Sequence, residues 1–171
     1  MVEALAFRIA KSIKDVDPKN TASIEVMKFA LVVLIDGFLV FSISLIISII
    51  LNQTVLTMLG LFSFVILRYI TGGYHFKSAL ACSITSIIMV VLIPFISITG
   101  WMYELFAGLS ILLILIFAPA NLEGRTRIPK KFYPYLKLTA IVLVVSSYII
   151  KSDPITLAFL IQSITLIGRR V

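Results

Sequence analysis

Hydrophobic positions along the chain fall into two patterns. From 2 to 16 they recur at helical spacing: Val2, Leu5, Ile9, Ile13 and Val16 share one stripe, with Arg8, Lys11, Lys14 and Asp15 opposite. That spacing predicts an amphipathic helix able to lie in a membrane interface with its cations toward anionic headgroups. The Asp-Pro-Lys-Asn stretch at 17–20 ends it, because proline disfavours helical geometry in the residue before it. The pattern then changes to long apolar runs at 29–51, 54–70, 78–98, 105–119, 136–150 and 155–168. Crossing the hydrocarbon takes about 20 residues, with about 17 as the usual lower limit. The first and third runs meet that length and the second and fourth lie near it. The last two are short enough to fit a re-entrant or interfacial placement as well.

Charge selects a topology. If the chain crosses at every run, fourteen of its fifteen Lys and Arg fall on one side. Basic connections face the cytoplasm. The predicted fold is therefore all-α: six transmembrane helices preceded by an amphipathic interfacial helix, a multi-pass cell-membrane protein with both termini cytoplasmic. Trp101 and Tyr103 then fall at the outer boundary, and Tyr69, Tyr74, Tyr133 and Tyr135 at the inner one, as interfacial aromatics do. No repeat or low-complexity linker divides the chain. Residues 1–171 read as a single membrane-embedded domain, with 1–20 the amphipathic segment and 29–168 the bundle.

Composition agrees and narrows the partners. A chain that is 60% hydrophobic, only 13% charged and of mean hydropathy +1.12 has too little polar surface for a soluble domain. The net charge of +7 sits beside apolar runs, so anionic lipid headgroups and not nucleic acid are the expected partner. The first segment is charged throughout and is not expected to act as a cleaved signal. A single cysteine rules out an internal disulfide framework and a multi-cysteine metal cluster, and neither metal nor cofactor is expected.

The candidate chemistry lies at 68–84, "RYITGGYHFKSALACSI", which holds the only histidine, His75, and the only cysteine, Cys82. A cysteine nucleophile works as thiolate, and a nearby imidazole can take its proton. On one uninterrupted helix, residues seven apart share a face but are separated by about 10.5 Å along the axis. Contact therefore requires His75 to leave the helix and fold back. Gly72 and Gly73 permit such a turn, because glycine reaches backbone conformations other residues avoid. A helix starting near Lys77 or Ser78 would leave Cys82 in its first or second turn, where the positive helix end favours thiolate. The plainer reading makes Cys82 a packing residue, His75 a solvated interfacial residue and the glycines an ordinary loop. Arg68 is the candidate for an electrostatic role, against snorkelling to the cytoplasmic surface. Asp36 lies within the first apolar run, where a carboxylate is costly, and could orient His75 if the first and third spans pack together at matching depth. Arg125, Arg127, Lys130, Lys131 and Lys137 form a basic loop, as the positive-inside rule expects of a cytoplasmic connection.

The pattern Arg68-x-x-Thr71-Gly72-Gly73-Tyr74-His75, followed after six residues by Cys82, resembles the signature of the accessory gene regulator B (AgrB) family of quorum-sensing endopeptidases. The stretch "APANLEGRTRIPKK" from Ala118 is similar to that family's Ala-Pro segment leading into a polar, basic loop. With the amphipathic segment and six runs, the resemblance covers nearly the whole chain. It implies a membrane cysteine endopeptidase acting on a small amphipathic propeptide of the AgrD type. Cys82 would be the nucleophile and His75 the general base and then acid, supported by Arg68 and the two glycines. Lys130, Lys131, Arg125 and Arg127 would bind the substrate's acidic tail. The product implied is a thiolactone or lactone ring still carrying its leader, and the family resemblance allows a homodimer. The competing class is a non-catalytic transporter or peptide-export subunit; against it, the runs lack paired intramembrane charges and matched interruptions.

Overall fold

The computed structural model describes residues 2–74, 78–120 and 129–168, and every extended regular element within them is helical. The first helix, α1, spans Val2–Val16, where the apolar spacing predicts it. Its packing face is not the large apolar stripe. Ala6 and Ala10, one turn apart, are fully buried where α1 lies along α2 (Ile24–Ile50), while Leu5, Ile9 and Ile13 remain exposed. Small side chains let the two backbones approach, and the larger ones are left for the surroundings. The turn between these helices is tied by the Lys14 ammonium, which donates to the carbonyls of Pro18 and Thr21 at 2.8 and 2.9 Å.

The remaining helices are α3 (Thr54–Thr71), α4 (Ala79–Leu92), α5 (Met102–Phe117), α6 (Tyr133–Ile150) and α7 (Asp153–Ile164). Helix α4 is shorter than the 78–98 run, because Pro94 stands where its amide would be needed and the chain tightens into a 3-10 turn at Ile93–Phe95. A second 3-10 turn, Lys130–Phe132, leads into α6. Lys151, with φ of 51°, ends α6, and Pro154 sits in the first turn of α7.

The polarity of the bundle is inverted relative to a soluble protein. Ser44, Ser48, Thr57, Ser110, Ser147 and Gln162 are buried, while Phe29, Leu34, Phe38, Ile46 and Ile50 of α2 and Leu138, Val142 and Ile149 of α6 face outward. Large apolar residues outside and small or polar ones between helices define a lipid-embedded bundle. Three helical stretches, Ile24–Ile50, Thr54–Thr71 and Lys130–Ile150, are long and apolar enough to cross a membrane. Leu80–Phe95, Met102–Phe117 and Asp153–Ile164 are apolar but shorter. At a rise of 1.5 Å per residue, α7 extends only about 18 Å. With seven of its twelve residues buried, it is a core element packed against α3 and α5 and not a lipid-facing one.

The core gathers around α7. Leu67, Ile114, Val144, Phe159 and Leu166 bring α3, α5, α6 and α7 together, and Phe64, Ile93, Ile98, Leu157 and Ala158 form a second cluster. Helix α2 packs against α4 and less extensively on α3. At Gly60 of α3 the approach is close: a Cβ there would lie 3.3 Å from two carbons of the buried Ile93 side chain. Gly60→Leu should overpack this contact and lower stability by about 1–3 kcal/mol, read as an earlier midpoint of thermal unfolding in detergent micelles.

Candidate active site

The site starts from the way α3 ends. Its last turn carries Arg68, and the helix stops at Gly72, whose φ of 71° and ψ of −146° depart from helical geometry. Gly73 follows with φ of 141°, in the region that side chains rarely enter. The backbone they expose is not left open. Ala120 donates its N–H to the carbonyl of Thr71 (2.9 Å), and Gly73 donates to the carbonyl of Ala120 (3.1 Å). The diglycine and the Ala-Pro-Ala segment, the two motifs singled out in the sequence, thus meet as one parallel bridge between Gly72 and Ala120. The next residue, Tyr74, donates its N–H to the carbonyl of Thr165, just past α7 (2.9 Å).

Arg68 points into this assembly and not out to the surface. Its Nη2 donates to the Tyr74 carbonyl at 2.6 Å, and its Nη1 to Gln162 Oε1 at 3.2 Å and to Thr165 Oγ1 at 3.4 Å. The Phe64 ring lies under the guanidinium, 5.6 Å from its carbon to the ring centroid. The guanidinium and the Cys82 sulfur line the same cavity, close enough for an electrostatic interaction between them. Snorkelling is therefore excluded, and Arg68 is an internal cation placed beside the thiol.

Cys82 stands in the first turn of α4, which begins at Ala79, as the sequence predicts; its N–H donates to the carbonyl of Ser78 at 3.2 Å. The side chain is half-buried and faces a cavity of about 230 Å³. Phe64 and Arg68 of α3, Tyr74, Thr85, Ser86 and Met89 of α4, and Ile164, Thr165 and Gly168 complete its wall. One cation and a few hydroxyls in a mostly apolar pocket are the features of a small ligand site.

The other sequence-predicted residues divide as follows. Asp36 of α2 accepts a hydrogen bond from Ser83 Oγ, so the first and third apolar segments do pack together at the depth of the cysteine. Ser83 is buried and follows Cys82 around the helix by about 100°, so the carboxylate braces α4 from a side other than the cavity. Lys130 and Lys131 are exposed on the turn before α6, with Lys131 over the Phe132 ring, and neither lines the cavity. His75, Lys77, Arg125 and Arg127 lie outside the described residues. Sequence reasoning missed Gln162, Thr165, Tyr74 and Ser83. A signal existed for Gln162: it is the one amide in the apolar run of α7, where a side chain of that polarity needs partners.

The fold and site define a lipid-embedded helical bundle in which an arginine and a cysteine line one cavity beside a diglycine helix end. The chain belongs to the accessory gene regulator B family, whose sequence profile matches residues 4–166. An AgrB-like protein of Halalkalibacterium halodurans is 26% identical over 115 residues, a stretch that covers 65% of this chain and 58% of that relative. The match thus spans little more than half of the relative's length. No solved structure matches the chain.

Proposed function

We propose that the protein is a membrane cysteine endopeptidase that cleaves a small AgrD-like propeptide near its C-terminus and hands the acyl group to a nucleophile within the same peptide. The observation that carries this reading is the placement of the Arg68 guanidinium and the Cys82 thiol at the wall of one cavity. A fixed cation at that wall can stabilise negative charge that develops on a bound substrate, more strongly where the dielectric is reduced. His75 follows Tyr74 directly, and the Tyr74 backbone is held by Arg68 and Thr165. The residue that precedes His75 is therefore anchored to the same cation that lines the Cys82 cavity.

In this mechanism His75 takes the Cys82 proton, and the thiolate attacks the scissile carbonyl. The tetrahedral oxyanion collapses as the C–N bond breaks, and His75 returns the proton to the departing amine of the acidic tail. A thioester to Cys82 remains. A cysteine or serine inside the bound peptide then attacks that thioester, closing a thiolactone or lactone and regenerating the Cys82 thiolate; His75 takes the attacking group's proton. Phe64, Met89 and Ile164 limit water at the acyl carbon. Under this reading the chain crosses the membrane six times with both termini cytoplasmic, and the site lies near the cytoplasmic leaflet.

The test is reconstitution in lipid with a propeptide carrying an amphipathic leader, a central cysteine and an acidic tail. A covalent enzyme–peptide adduct that hydroxylamine releases, mapped to Cys82, is the expected result. Tail release without any such adduct would sink the mechanism.

Lys130 and Lys131 are proposed to draw in the acidic tail. Replacing both with alanine should raise KM about fivefold at low salt, leave kcat near its original value and flatten the salt dependence of kcat/KM, since rim charges act chiefly on encounter.

A further inference from the structure

Gln162 is completely buried near the end of α7, and both ends of its amide are engaged. Nε2 donates to the Gly72 carbonyl at 2.7 Å and to Thr71 Oγ1 at 3.1 Å. Oε1 accepts from Arg68 Nη1 at 3.2 Å and lies 3.1 Å from Thr165 Oγ1. The orientation of the amide is fixed by chemistry: a guanidinium only donates and a peptide carbonyl only accepts, so a flipped amide would lose both contacts. One side chain thereby joins the cation beside Cys82 to the glycine hinge that leads to His75. Arg68 has a long, flexible stem, and its partners among the described residues include a carbonyl, an amide, a hydroxyl and an aromatic ring, so its head group needs a fixed acceptor to stay beside the sulfur.

We propose that Gln162 is a positioning residue that holds the Arg68 guanidinium against Cys82 and locks that placement to the Gly72 backbone. This inference rests on reading Cys82 as the reactive thiol, and its test does not depend on propeptide cleavage.

The test compares two alkylating probes of opposite electrostatic character, iodoacetate and iodoacetamide, on the full-length protein in lipid. An adjacent guanidinium attracts the anionic probe, so the ratio of the two Cys82 alkylation rates reports the local cation and not the general integrity of the fold. Gln162→Leu should lower that ratio by roughly fivefold, the order expected for loss of one charge near the surface. Arg68→Gln should lower it by a similar factor, and the double variant should fall no further than Arg68→Gln alone. An unchanged ratio in Gln162→Leu overturns the proposal, and so does an additional loss in the double variant, which would mean that Gln162 acts independently of Arg68. If Gln162→Leu does not accumulate, Gln162→Met, which keeps the length of the side chain but offers the guanidinium no oxygen acceptor, takes its place. It should lower the ratio by the same order, and an unchanged ratio again overturns the proposal. Failure of the wild-type protein to cleave any propeptide would sink the endopeptidase reading while leaving this measurement intact.

Discussion

Cys82→Ala is expected to abolish propeptide cleavage, with release of the acidic tail falling by a factor of about a thousand or more, the scale seen when a catalytic nucleophile is removed. The substitution takes away one sulfur atom from a half-buried position, so folding and propeptide binding should persist. Binding is checked by co-purification and tail release by mass spectrometry of the soluble fraction. His75→Ala should abolish cleavage to a similar degree, and no thioester should accumulate, because the first proton transfer and the protonation of the leaving amine both depend on it. Under the proposed function, the reason for a thiol is the second step. Exchange of a thioester for a thiolactone roughly conserves bond energy, so ring closure depends on placing the internal nucleophile against the acyl carbon. Well-oriented intramolecular attack reaches effective concentrations of about 10⁵ M or more, and this advantage is kept only if water is excluded. Tail release that continues in Cys82→Ala would remove the enzymatic assignment altogether.

Local signals in the sequence carried part of this architecture. The extent of α1, the end of α3 at the diglycine and the start of α4 just before Cys82 follow from apolar spacing, from glycine and from the short polar break at 71–78. The inward turn of Arg68 does not follow, because its partners Gln162 and Thr165 lie 94 and 97 residues away. Likewise the diglycine and the Ala-Pro-Ala segment are each visible as motifs, but their pairing is set by the packing of α3, α5 and α7. Residue hydrophobicity also misleads on which face packs. In a lipid-embedded bundle the large apolar residues gain as much from lipid as from a neighbouring helix, so close approach is decided by Ala6, Ala10, Ser44 and Gly60 instead. The six-crossing expectation rests on charge placement. Helix length supports three crossings directly, and the short α7 is defined by its burial, a property no local pattern displays.

Gly73→Ala is expected to lower cleavage by about a hundredfold. Its φ of 141° is one that a side chain strains against, at a cost of about 1–3 kcal/mol. A Cβ there would lie 2.8 Å from Thr165 Oγ1, 3.3 Å from Gln162 Nε2 and 3.5 Å from Arg68 Nη1. Relief of that crowding has to displace the very atoms that fix the guanidinium and the hinge. A misplacement of about 1 Å in a positioned group is enough to cost about two orders of magnitude in rate. Gly108→Ala is the matched control: it lies in α5 with open space around the added methyl group, and a helical glycine-to-alanine change there should be neutral or stabilising by about 0.5–1 kcal/mol. Both variants are compared by initial rates of tail release and by thermal unfolding in detergent. Equal rates for the two would mean that the diglycine is a plain connection between helices and that the geometry around Arg68 does not govern the reaction.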